Sequence, residues 1–202
     1  MRALRRCDPV LARIMAQIGP CPLKPLRNHY WALAEAIVSQ QLSVSAAATI
    51  FKRLRALYPE HRVPHPSDLL ATPEDRLRAV GLSRQKIAYL KGLSEAALNG
   101  GLPSRRFHRM SDEAIIDFLT QLHGIGRWTA EMFLIFVLAR LDVFPVGDLG
   151  LQKAIQRAYG LRRHPSTATM LRIAKRWEPY RTVATWYLWA SRDGKPVMYG
   201  EG

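Results

Sequence analysis

The sequence predicts an all-α fold built as two helical lobes around a cleft. Apolar residues recur at helical spacing while strand alternation is scarce, helix starts and stops are legible between these segments, and 48% of the 202 residues are hydrophobic, enough for a sizeable core. Helices are expected over residues 8–18, 29–39, 43–58, 67–71, 73–79, 83–98, 111–121, 127–140, 149–159, 166–177 and 180–191. Pro20, Pro22 and Pro25 stop the first, and Ala46, Ala47 and Ala48 let the third pack closely before Pro59 ends it. Thr72–Pro73 opens the fifth with proline at a first helical position, and Gly100–Gly101–Leu102–Pro103 closes the sixth. Ser111, with Glu113 and Ala114 behind it, opens the seventh, and Asp148 stands where an N-cap belongs before 149–159. No internal repeat or low-complexity tract is visible. One domain over 1–202 is expected, with a hairpin at about 111–140, one lobe over about 40–110, and the other over about 111–202 plus the N-terminal segment.

Lysine and arginine number 30 against 16 acids, so the formal charge is +14 and the pI about 10.5. That balance points to a polyanionic partner, nucleic acid first and an anionic membrane surface second. No stretch is apolar and long enough to span a membrane, and MRALRRCDP has no signal-peptide apolar core. Two cysteines, Cys7 and Cys21, exclude a disulfide framework or four-cysteine metal cluster and fit a reducing cytoplasm. The six histidines lack metal-ligand spacing, so zinc catalysis is not expected.

The stretch LHGIGRWTAE at 122–131 places Gly124 and Gly126 between two helices. Glycines there allow close approach of backbone to a ligand, and the amides opening the second helix favour an anion such as a DNA phosphate, with Arg127 adjacent. An ordinary αα corner with a glycine C-cap explains the same residues. For Asp148, a helix cap and a catalytic carboxylate are compatible readings, because the helix dipole favours the charged form.

Four motifs together carry a family resemblance: LHGIGRWTA, then DVFPVGDLGLQKA at 142–154, AIVSQQLSVSAAA at 36–48 and RWEPYRTVATWYLW at 176–189. They resemble the helix-hairpin-helix DNA glycosylases, specifically the DNA-3-methyladenine glycosylase II branch, over about residues 28–190, with Asp148 at the family spacing of 20 after Trp128. Larger members carry an N-terminal β-rich domain, so the resemblance implies a short form.

The resemblance implies that Asp148 is the catalytic anion, stabilising positive charge on the deoxyribose or orienting the attacking water. Asp142, the rival carboxylate, misses the family position. Bifunctional relatives carry a Schiff-base lysine where this chain has Trp128, which implies base release without strand cleavage. Lys153, one turn beyond Asp148, is expected to be solvated or phosphate-facing. Trp128 and Trp189 match base-pocket tryptophans, Tyr187 and Met132 are placed with them, and Met132 stands where relatives often have tyrosine. Indole faces attract the cationic alkylated purines by about 0.5–2 kcal/mol. Trp177, Tyr180 and Trp186 are expected in the core.

Gln40, Gln41 and Leu42 match the loop that fills the gap left by a flipped nucleotide, with Gln41 as the wedge and Leu42 as the alternative one residue on. Gly124, Gly126, Arg127 and Thr129 complete the expected DNA contacts, Arg127 being the foremost phosphate ligand. The remaining cations, among them Lys52, Arg53, Arg55, Arg84, Lys86, Arg105, Arg106, Arg109, Arg162, Arg163, Lys175 and Arg176, read as solvated faces or phosphate contacts. The backbone carbonyls of Thr120, Leu122 and Ile125 are implied as ligands of a structural Na+ or K+, with no other cofactor required. The expected partner is duplex DNA bearing alkylated bases, met by a monomeric cytoplasmic glycosylase with no membrane association. A non-catalytic helix-hairpin-helix DNA-binding protein and a glycosylase for oxidised or mismatched bases are the alternatives; Asp148 together with Trp128 and Trp189 argues against the first, and the missing hairpin lysine and iron–sulfur cysteines against the second.

Overall fold

The computed structural model describes residues 2–61, 63–103 and 106–193, so Arg105 lies outside the described residues. Among the described residues every regular element is a helix: α1 (Arg2–Cys7), α2 (Pro9–Ile18), α3 (His29–Ser39), α4 (Val44–Ala56), α5 (Pro66–Ala71), α6 (Glu74–Ala79), α7 (Arg84–Leu98), α8 (Asp112–Thr120), α9 (Arg127–Phe136), α10 (Leu149–Ala158), α11 (Thr167–Ala174) and α12 (Arg181–Asp193), with 3₁₀ turns at Phe107–Arg109 and Lys175–Trp177. None of them is long and apolar enough to cross a membrane.

Side-chain caps set most of the starts. Ser43, Ser83, Ser111 and Ser166 each accept a hydrogen bond from the third residue of the helix behind them, satisfying an amide that the helix itself leaves unpaired. Several expected boundaries move. The helix α1 was not anticipated, because Leu4 is its one buried residue and leaves no periodicity to detect. Pro73 serves as N-cap of α6, so the helix starts one residue later than expected. The expected helix 127–140 stops at Phe136, where Arg140 N reaches back to Leu134 O (2.9 Å) and Ala139 takes a positive φ of 51°. No glycine or proline marks that stop. The expected helix 166–177 ends at Ala174 and tightens into the 3₁₀ turn.

Among the described residues the chain divides into two compact units, 26–133 and 2–25 with 134–193, instead of breaking near residue 110. In the first unit α7 packs against α3, α5 and α6, over a core that includes Leu33, Ile37, Leu54, Leu69, Leu90 and Leu119. Phe107 packs against His29, Phe118 and Phe133 at centroid distances of 5.4–6.2 Å, and this aromatic cluster draws the stretch from 107 to 133 into the unit that begins near residue 26.

In the second unit α12 packs against α2 and α10. Its centre is Asp8, a buried carboxylate that caps α2 through Val10 N (2.9 Å) and Leu11 N (3.2 Å) and also accepts from Tyr159 Oη (2.6 Å) and Trp177 Nε1 (2.9 Å). Four donors satisfy a charge that would otherwise be costly to bury. Desolvation, reinforced by the Asp8 carboxylate, raises the Tyr159 pKa and keeps that phenol a donor. Removing the carboxylate strands the buried Trp177 indole and the half-buried Tyr159 hydroxyl and uncaps α2. Asp8→Ala is therefore expected to lower unfolding free energy by about 3 kcal/mol or more in urea titration; a loss under about 1 kcal/mol contradicts this account.

Candidate functional site

Asp148 is the N-cap of α10, and its Oδ1 accepts from Leu151 N (2.6 Å) and from Trp189 Nε1 on α12 (3.0 Å). The half-buried Trp189 ring stacks on Phe136, with centroids 5.7 Å apart and planes 19° apart. A Cβ at Gly150 would sit 3.0 Å from Asp148 Oδ1 and 3.5 Å from Trp189 Nε1, so glycine at that position gives the carboxylate and indole room to meet. Arg192 Nη1 donates to Gly150 O (3.3 Å) from the last turn of α12. Sequence reasoning paired Asp148 with Trp189 through the family alone; Phe136 and Gly150 were not singled out, although a glycine two residues past a capping aspartate was a usable signal.

Asp142 has a different environment. Arg181 Nε and Nη2 donate to its two oxygens at 2.8 Å each, and Arg181 N adds a third bond at 3.2 Å. That carboxylate is committed to starting α12, and the same hydrogen bonds raise the Arg181 pKa. Lys153 is exposed on α10. Tyr187 is a correction. It is fully buried, crosses Trp186 edge-on at 5.1 Å and spends its hydroxyl on Gly19 O (2.7 Å). Two helical positions separate it from Trp189, a rotation of about 200°, so one helix cannot present both rings to one pocket.

The hairpin belongs to the unit of residues 26–133. Gly124 has φ +86° and lies under the Tyr89 ring, into which a Cβ would be driven. Gly126 has open space over its Cα. The first glycine is therefore required by the fold, whereas a Cβ at the second would meet nothing within 4 Å among the described residues. The amides opening α9 follow directly, at the end of the helix whose dipole favours an anion. Trp128 projects there at 47% exposure, whereas Thr129 and Met132 are 5% and 4% exposed. The side chains of Thr129, expected at the DNA, and of Met132, expected at the base pocket, are thus buried.

Arg127, the expected phosphate ligand, grips Glu113 of α8 bidentately with its exposed guanidinium (2.6 and 3.0 Å) and meets Glu131 one turn on (3.3 Å). Hydrogen bonding to Glu113 raises the Arg127 pKa, and Arg127 lowers that of Glu113. The pair is well exposed, so it orients α8 against α9 more than it stabilises them.

The residues of the expected wedge form a tight turn. Gln40 has φ −53° and ψ 132°, Gln41 has φ +57°, and Leu42 N donates to Ser39 O (3.2 Å), which is the geometry of a type II turn. Gln41 and Leu42 are exposed. Gln40 is not directed outward: its Nε2 donates to Gly124 O (2.7 Å), bracing the turn against the hairpin. Lys86, read from sequence as a surface cation, donates to Val38 O (2.6 Å) and Gln40 O (2.8 Å), and desolvation lowers its pKa.

A depression of about 410 Å³ is lined by residues 120–126. This is the stretch that carries Thr120, Leu122 and Ile125, and within it Leu122 O accepts Ile125 N (3.1 Å).

Residues 34–179 match the HhH-GPD superfamily base excision DNA repair protein family. Two Schizosaccharomyces pombe relatives align over most of their length. An alkylbase DNA glycosidase-like protein is 34% identical over 92% of this chain and 89% of its own, and DNA-3-methyladenine glycosylase 1 is 36% identical over 89% and 79%. The solved structure of the S. pombe 3-methyladenine DNA glycosylase Mag1 with abasic DNA superposes with a TM-score of 0.82, at 34% identity, over 95% of this chain and 96% of that one.

The two hairpin glycines are expected to respond differently to a methyl group. Gly124→Ala combines left-handed backbone with a clash against Tyr89 and should cost about 2–4 kcal/mol in urea unfolding. Gly126→Ala should stay within about 0.5 kcal/mol of the parent. Equal losses at both positions would contradict the separation of roles.

Proposed function

The chain belongs to the HhH-GPD superfamily of base excision DNA repair proteins, and from that premise we propose that it is a DNA glycosylase releasing alkylated purines from duplex DNA, with Asp148 as the catalytic anion. The observation that carries this reading is the double anchoring of Asp148 Oδ1 by Leu151 N and Trp189 Nε1. It fixes a carboxylate at a helix N-terminus beside an aromatic face that is still half-buried. A preorganised charge of this kind lowers a barrier because it needs no reorientation as the reaction proceeds.

An alkylated purine carries positive charge in the nucleotide. When the C1′–N bond breaks, its electron pair leaves with the base and neutralises that charge. The leaving group therefore needs no general acid, and the positive charge passes to the sugar. Asp148 stabilises the oxocarbenium-like sugar, water adds to C1′, and the water's proton passes to the carboxylate. Trp189, backed by Phe136, gives a cationic base a stacking and cation–π surface. No amine stands at Trp128, so the product is an intact abasic strand.

Extrusion of the nucleotide falls to the turn at 39–42. A glutamine at a position of a type II turn that favours glycine costs about 1–2 kcal/mol of backbone strain. Gln41 is tolerated there for its side chain, which fills the vacated stack and hydrogen-bonds the orphaned base. The open face of Gly126 and the first-turn amides of α9 receive a phosphate. A monovalent cation on the carbonyls of Thr120, Leu122 and Ile125 would add positive charge at the hairpin. A monomer acting in the cytoplasm, with no membrane association and no other cofactor, completes the proposal.

Asp148→Asn keeps an oxygen for the α10 cap and for the Trp189 indole while removing the charge. Release of a single methylated purine from a defined duplex is expected to fall about a hundredfold or more, with melting temperature and duplex affinity nearly unchanged. Near-parental base release would dismiss Asp148 as the catalytic anion. Strand cleavage before alkali, with an adduct trapped by borohydride, would dismiss the hydrolytic reading of Trp128.

A further inference from the structure

Type I and type II turns differ by a flip of the central peptide, the one between the second and third residues. In the turn at 39–42 that peptide carries the Gln40 carbonyl. A type I turn would suit glutamine at the third position, because φ there is negative; the type II form makes Gln41 adopt φ +57°. Something must hold the less favourable orientation. The Lys86 ammonium donates 2.8 Å to Gln40 O and 2.6 Å to Val38 O, so it grips the central carbonyl and the end of α3 together. Lys86 is on α7, and Tyr89, one turn later on the same helix, lies over Gly124. The Gln40 amide closes the circuit by donating to Gly124 O at 2.7 Å.

We propose that Lys86 is a positioning residue that selects the type II orientation of the Gln40–Gln41 peptide and thereby aims the Gln41 wedge. Helix α7 acts as a strut, with Lys86 setting the wedge turn and Tyr89 setting the hairpin. Lys86 touches no reacting atom; it acts through Gln41. The role as an aid to base release rests on the glycosylase reading, while the peptide orientation can be tested without it.

The test uses the full chain with Lys86→Met, Lys86→Gln and Lys86→Arg, each alone and combined with Gln41→Gly. Crystal structures read the sign of φ at residue 41. Single-turnover release of 7-methylguanine from duplex DNA reads function. Lys86→Met and Lys86→Gln are expected to turn Gln41 to negative φ and slow release about tenfold, while Lys86→Arg retains positive φ and most of the rate. In the Gln41→Gly background the Lys86 substitutions should cause no further loss, since the wedge they aim is gone. The proposal is overturned if Gln41 keeps positive φ in both Lys86→Met and Lys86→Gln, or if the losses multiply in the double variants. Failure of one of these variants to fold leaves the other to decide. A parent protein inactive on the methylated duplex would refute the glycosylase reading, and residue 41 would still decide the role of Lys86 in the turn.

Discussion

Asp148 Oδ1 accepts hydrogen bonds from Leu151 N at 2.6 Å and Trp189 Nε1 at 3.0 Å, and these two bonds tie the start of α10 to the last turns of α12. Hydrogen bonds to a charged acceptor contribute about 1.5–3 kcal/mol each, so the carboxylate is held firmly. Much of the local arrangement follows from that. A Cβ at Gly150 would press on Asp148 Oδ1 at 3.0 Å, so glycine there leaves the carboxylate its place. With its nitrogen fixed on Asp148, the Trp189 ring lies against Phe136 in near-parallel stacking. In the proposed mechanism the cap and the catalytic anion are one structural device: the bonds that start the helix also remove the freedom of the charge.

Three aspartates show how surroundings assign a role to one side-chain type. Asp8 is buried among four donors and holds α2, Tyr159 and Trp177 together. Asp142 is locked in a bidentate pair with Arg181 and shapes the entry to α12. Asp148 caps α10 at a half-buried position beside a half-buried indole. Only the last combines a fixed charge with a neighbouring surface suited to a cationic base.

The hairpin divides its labour in a similar way. Gly124 serves the inside of the protein, under Tyr89 and braced by Gln40. Gly126 leaves backbone open to the outside. Arg127 bridges α8 and α9 through Glu113 and Glu131, which gives the hairpin its shape through side chains, while the proposed anion recognition falls to backbone amides. Backbone donors are indifferent to base sequence, as required of a protein that meets damage in any context.

By itself the sequence determined the helical class, most helix starts, the glycine-hairpin and Asp148 motifs, and through their spacing the family. These are local properties: a serine cap, a proline stop or a 3.6-residue period acts within a few residues. The stop of α9 at Phe136 was not legible, because Ala139 takes positive φ without glycine or proline to announce it. Tertiary structure alone decided which titratable groups meet. Asp142 and Arg181 are 39 residues apart, Asp8 and Trp177 are 169 apart, and Lys86 reaches carbonyls 46 and 48 residues earlier. It also placed Tyr187 in the core and paired Arg127 with two glutamates. Composition marks such side chains as polar or aromatic, but their partners depend on how distant helices are rotated about their axes, and the cost of leaving a buried donor or charge unpaired settles that only once the chain has packed.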